Sequence, residues 1–103
     1  MSNNGTEDLS LAEMFKALGN DHRLAIFHRL ASCCDLGDVG YYVGQLGEGL
    51  NIAPSTLSHH LKELRRAGLI EMERRGKQVM CWIEPEVLNQ LAGVFLVSDN
   101  AES

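Results

Sequence analysis

At 103 residues the chain has room for one core and not for two. Apolar residues make up 45% and charged residues 22%, ordinary globular usage that argues against wholesale disorder; no apolar run nears the roughly 20 residues of a membrane span. The net charge of −5 argues at first against a nucleic-acid partner, the polar, acidic start from Met1 to Asp8 is not a secretory signal, and three cysteines read as reduced thiols of a cytoplasmic protein rather than a disulfide scaffold.

In chain order, residues 1–8 and 98–103 read as loose tails, and 9–97 as the single folded domain. Ser10 with Glu13 fits a capping box, and Leu11, Met14, Phe15 and Leu18 then share one helical face. Gly19-Asn20 breaks that helix, and Asn20 is suited to cap a second one, with Asp21 in its first turn. Leu24, Phe27 and Ala31 form the expected inner stripe of this second helix, which fades near Cys33–Asp35. Residues 35–42 read as a loop. Val43 to Leu50 is a short helix with Val43, Leu46 and Leu50 inward, weakened by Gly44, Gly47 and Gly49. Asn51-Ile52-Ala53 is a tight turn.

Pro54 suits the first position of the next helix, although Ala53 before it is a weak cap. Leu57, Leu61 and Leu64 follow at i, i+4 and i+7, and Gly68 can close the helix in the left-handed conformation. Leu69 to Arg74 and Gln78 to Ile83 read as strands around an Arg75-Gly76-Lys77 turn. Pro85 opens a last helix carrying Val87, Leu88, Leu91, Ala92, Val94 and Phe95. The order is four helices, a hairpin and a fifth helix: an α+β chain, mainly α, of winged helix-turn-helix type.

The charge is unevenly spread. Residues 54–78 hold six cations against three carboxylates, whereas the rest holds three cations against eleven. A basic block inside an acidic body can grip phosphate locally while the remaining surface repels it. On a helical wheel at about 100° per residue, the three leucines of residues 55–66 fall together and Ser55, Ser58, His59, Lys62 and Arg66 lie opposite. Hydroxyls, imidazole, ammonium and guanidinium are the groups that meet phosphates and base edges in a major groove. Thr56 lies beside this row, Arg65 and His60 flank the leucines, and His60 is expected to be partly buried. Arg74, Arg75 and Lys77 at the hairpin tip would meet backbone or the adjacent minor groove. The DNA-contact set is therefore Ser55, Thr56, Ser58, His59, Lys62, Arg65, Arg66, Arg74, Arg75 and Lys77.

The run from Pro54 to Ile70, Pro-Ser-Thr-Leu-Ser-His-His-Leu-Lys-Glu-Leu-Arg-Arg-Ala-Gly-Leu-Ile, followed by Arg75-Gly76-Lys77, resembles the ArsR/SmtB family of bacterial repressors. Met14 to Leu24, Met-Phe-Lys-Ala-Leu-Gly-Asn-Asp-His-Arg-Leu, resembles that family's opening helix junction, so the likeness runs from about residue 9 to 97. It implies a homodimer built on the first and last helices, double-stranded operator DNA as partner, and release by an inducer that is often a metal or metalloid ion. Independently, the apolar residues of the last helix span a wider arc than one small core covers. Leu11, Phe15, Val87, Leu88, Leu91, Val94 and Phe95 are the expected dimer contacts.

The family's best-known thiolate site uses two cysteines flanking one residue; here those positions are Tyr42 and Gly44. Its other site uses histidine and carboxylates of the last helix, which here has no histidine. Cys33 and Cys34 remain as a vicinal pair suited to As(III) or another soft ion. The alternatives are a redox or persulfide response without metal, and a structural role for Cys34. Cys81 alternates with Val79 and Ile83 and faces inward. No cofactor is required. A winged helix serving as a protein-interaction module is the other reading, and would leave the basic face dispensable. No Ser/His/Asp spacing, glycine-rich phosphate loop or carboxylate pair marks an enzyme.

Overall fold

A computed structural model describes residues 3–35 and 40–96, with side chains over 10–32 and 40–96. It contains α1 (Asn3–Leu18), α2 (Asp21–Asp35), β1 (Tyr41–Tyr42), α3 (Val43–Leu50), α4 (Pro54–Arg66), β2 (Glu71–Arg75), β3 (Gln78–Trp82) and α5 (Pro85–Phe95). The expected loose segment at 98–103 lies outside the described residues.

The helix boundaries follow their local chemistry. Asn20 caps α2, its Oδ1 accepting the Arg23 amide at 3.1 Å. Ala53 gives α4 no side-chain cap, and Pro54 stands in the first turn, where a missing N–H costs nothing. The end of α4 is closed by Gly68 at φ +83°. Its amide donates to the Arg65 carbonyl at 3.0 Å, and the Leu69 amide donates to that of Leu64 at 3.0 Å. This is a Schellman closure, with Leu64 and Leu69 both buried across it.

Four expectations need correction. The first helix begins at Asn3 rather than Ser10, so Ser10 is an interior helical residue and not a cap. On α2 the buried residues are Ile26, Phe27 and Leu30, while Leu24 is 52% exposed. The apolar positions of α2 allow more than one phase, and packing on α3 and α4 selects this one. The end of the expected 35–42 loop is a strand: β1 lies antiparallel to β3, Tyr41 opposite Cys81 and Tyr42 opposite Met80. The sheet order is therefore β1-β3-β2. Finally, Leu69 and Ile70 are buried ahead of β2 rather than within it.

The entry into β1 depends on Gly40, where a Cβ would overlap the Cys81 carbonyl oxygen and stand 2.9 Å from the Trp82 Cβ. The Arg29 guanidinium lies 5.2 Å from the centre of the Tyr41 ring, a cation–π contact tying α2 to β1. As the central strand, β3 buries both Met80 and Cys81. Burial raises the Cys81 thiol to about 11, so at neutral pH it is a protonated, apolar filler.

Candidate nucleic-acid interface

Helices α3 and α4 form the helix-turn-helix, joined by Asn51, Ile52 and Ala53. Asn51 adopts the left-handed conformation (φ 56°), and the Ile52 amide returns to the Gly47 carbonyl at 3.1 Å. Leu46 of α3 and Leu57, Leu61 and Leu64 of α4 are buried. At about 25 cal/mol per Å² of apolar surface, such burial fixes the roll of α4 far more firmly than its uncapped start could.

That roll decides which side chains face out. Ser55, Ser58, His59, Lys62, Arg65 and Arg66 are exposed, and Thr56 is half-buried. Arg74, Arg75 and Lys77 are exposed on the β2–β3 hairpin, whose Gly76-Lys77 turn has Gly76 at φ +67°. The structure thus presents the sequence-predicted cations on the recognition helix and the wing. An open groove of about 790 Å³ runs between α3, α4 and the hairpin, lined by Ser58, Lys62, Arg65 and Lys77 among others, with Glu48 the one carboxylate on its wall.

Few of these cations are held elsewhere. Arg66 lies 3.5 Å from Glu63, with the arginine side chain 77% exposed, and Arg75 lies 3.0 Å from Glu73. Exposed pairs of this kind are worth little and exchange readily for phosphate.

His60 faces the other way. It is only 8% exposed, and its Nδ1 lies 3.2 Å from the Arg23 guanidinium. Arg23 and His22 were not singled out from the sequence, because no local pattern links residues 37 apart. Nor does the sequence mark the pairing of Tyr42 with Gln45, in which the Tyr42 amide donates to Gln45 Oε1 at 2.9 Å and closes the start of α3.

The matching family model is a helix-turn-helix domain over residues 18–73. The HTH-type transcriptional regulator YbzH of Bacillus subtilis is 36% identical over 89 residues, covering 78% of this chain and 89% of the relative. This chain belongs to the ArsR/SmtB family of helix-turn-helix transcriptional regulators. Two further likenesses agree. The homodimeric winged helix-turn-helix DNA-binding domain of Mb0332 from Mycobacterium bovis superposes with a TM-score of 0.73 at 27% identity, covering 99% of this chain and 91% of that one. HlyU of Vibrio cholerae, a transcriptional activator, is 36% identical over 66 residues, 64% of this chain and 56% of the relative. Its structure superposes with a TM-score of 0.67, covering 91% of this chain and 94% of that one. As a member of this family the chain is a transcriptional regulator rather than an enzyme.

The metal sites expected of an ArsR/SmtB regulator do not fit these residues. Tyr42 and Gly44 offer no thiolate, and α5 has no histidine. Among the described residues no group of three histidine, cysteine or acidic side chains could hold a metal ion. Cys33 and Cys34 fall in the last turns of α2, and their side chains lie outside the described set. Of the expected dimer contacts, Leu91 is buried within the protomer, and Leu11, Phe15, Val87 and Leu88 are partly buried against its core. Val94 and Phe95 are 52% and 70% exposed. The Phe15 and Phe95 rings meet edge-to-face at 5.6 Å, joining α1 to α5. No helix among the described residues is long and apolar enough to cross a membrane.

Proposed function

We propose that this regulator is a cytoplasmic repressor that occupies double-stranded operator DNA as a homodimer and leaves it when a thiol-reactive inducer binds. The observation that carries the DNA-contact reading is the roll of α4: three leucines buried on one side, with Ser55, Ser58, His59, Lys62 and Arg66 exposed on the other. These side chains enter the major groove, while Arg74, Arg75 and Lys77 hold backbone beside it. The dimer reading is supported by the exposed apolar end of α5 and by the homodimeric state in the name of the Mb0332 domain. Two protomers then read half-sites about 34 Å apart.

Titration of the chain against its own promoter duplex tests this. The expected result is nanomolar affinity that falls steeply as salt rises; salt-insensitive or absent binding overturns the reading. The direction of control is tested by transcription from that promoter in a purified system. Added protein lowers the transcript, and a rise, the behaviour the name of HlyU implies, overturns repression.

Cys33 and Cys34 are the proposed inducer site. They are adjacent, two alternative family positions lack ligands, and the third cysteine is buried and protonated. As(III) prefers such thiolates. Arsenite releases the wild type from its operator, whereas the double variant Cys33→Ser/Cys34→Ser stays bound. Normal release of the double variant removes the pair as the sensor.

A further inference from the structure

His60 is the one buried polar side chain in the core among the described residues. It lies on the inner side of the recognition helix, where Leu57, Leu61 and Leu64 also point. Its partner Arg23 is itself held in place: Asn20 Oδ1 accepts the Arg23 amide at 3.1 Å, and Arg23 Nε donates to the Ala17 carbonyl in the last turn of α1 at 2.7 Å. One guanidinium therefore ties the end of α1, the start of α2 and the back of α4 together.

The hydrogen bond fixes a protonation state. A guanidinium has no acceptor and stays charged, so His60 Nδ1 must supply the lone pair and Nε2 the proton. A second proton on His60 would turn an N–H toward the guanidinium and set a cation beside it. The titratable and charged groups facing the ring are Arg23 and His22 from α2 and His59 from α4; α1 contributes the Ala17 carbonyl through Arg23. The His22 and His59 rings are centred 5.3 and 5.4 Å from that of His60.

We propose that the Arg23–His60 contact is a proton-sensitive latch: neutral His60 docks the back of the recognition helix on the α1–α2 junction, charged His60 releases it, and DNA affinity falls on acidification. His60 is a positioning residue here, acting through α4, and the inference rests on the DNA-binding reading above. Burial first, then Arg23, His22 and His59, hold its pKa below the ordinary 6.5. The sign follows. The released form binds the extra proton more readily, so docking is fully favoured above about 6.5 and weakens as pH falls from there toward the depressed value.

The test uses the full chain. Ring NMR reports the His60 tautomer and titration without DNA, and fluorescence anisotropy reports affinity for the promoter duplex from pH 7.5 to 5.0 at constant ionic strength. The latch predicts an Nε2–H tautomer at neutral pH and a His60 titration below the ordinary 6.5. It predicts that the wild type loses roughly fivefold or more in affinity on acidification relative to His60→Gln, whose Oε1 accepts from Arg23 and takes no proton. Arg23→Gln moves the His60 titration upward, a readout that does not need His60→Gln to fold. An Nδ1–H tautomer, or a His60 titration at or above the ordinary 6.5, overturns the contact; superimposable pH curves for wild type and His60→Gln overturn its control of affinity. Absence of DNA binding at every pH is a different failure, that of the DNA-binding reading, and leaves the ring spectra interpretable.

Discussion

Leu64→Ala destabilises the domain by about 2–5 kcal/mol, the range for emptying a closed leucine site. Leu64 is fully buried. It belongs to the leucine row that rolls α4, and its carbonyl accepts the Leu69 amide that closes the helix. Truncation removes apolar contacts from both, and the turn at Gly68 leaves little freedom for the chain to collapse into the gap. A domain of this size has only about 5–15 kcal/mol in total, so the loss is a large share of its stability. Urea unfolding measures it, with Arg65→Ala as the control: the exposed neighbour changes stability by no more than about 0.5 kcal/mol. A Leu64→Ala loss below about 1 kcal/mol would show that α4 is not anchored by this row.

Lys62→Ala/Arg66→Ala has the opposite signature, with stability nearly unchanged and DNA affinity reduced. Both side chains are exposed, and the one ion pair involved among the described residues, Arg66 with Glu63 at 3.5 Å, is a surface contact of small worth. In a dimer the double variant removes four cations from the DNA face, and each phosphate contact contributes about 0.9 to the salt slope. The slope should therefore fall by about 3–4, and affinity at low salt by roughly a hundredfold. Anisotropy against potassium chloride measures both quantities. An unchanged slope with an unchanged melting curve would remove these residues from the interface.

The parts legible in the sequence were those with local punctuation. Pro54 and Gly68 bracket α4, the leucine spacing sets its face, and Arg75-Gly76-Lys77 marks the wing. Each of these signals lies within a few residues of the structure it dictates. What escaped depends on distant partners. Strand β1 is two residues long, too short for alternation to show, and exists because β3 pairs with it some forty residues later. The inner stripe of α2 fell one step away from the Leu24 phase because neighbouring helices, not periodicity, choose among overlapping apolar rows. Met80 breaks alternation, being buried next to inward-facing Cys81, with Tyr42 of β1 and Glu73 of β2 as its cross-strand neighbours. The Arg23–His60 contact joins two helices through a guanidinium that looks, in sequence, like an ordinary charge in a first turn.

The candidate site divides in the same way. Its exposed cations could be read from the helical wheel, since exposure on a helix with a strong apolar row is nearly fixed by spacing. The floor beneath them, where Tyr42, Gln45 and Glu48 approach α4 and the wing, is built by tertiary packing and left no local trace.

Backbone amide NMR of the chain titrated with its own promoter duplex tests the central claim most directly. The account predicts shifts at Ser55, Ser58, His59, Lys62 and Arg66 and along the wing from Arg74 to Lys77, with α5 little changed. Shifts gathered on α5 while the amides of α4 and the wing stay silent would contradict it.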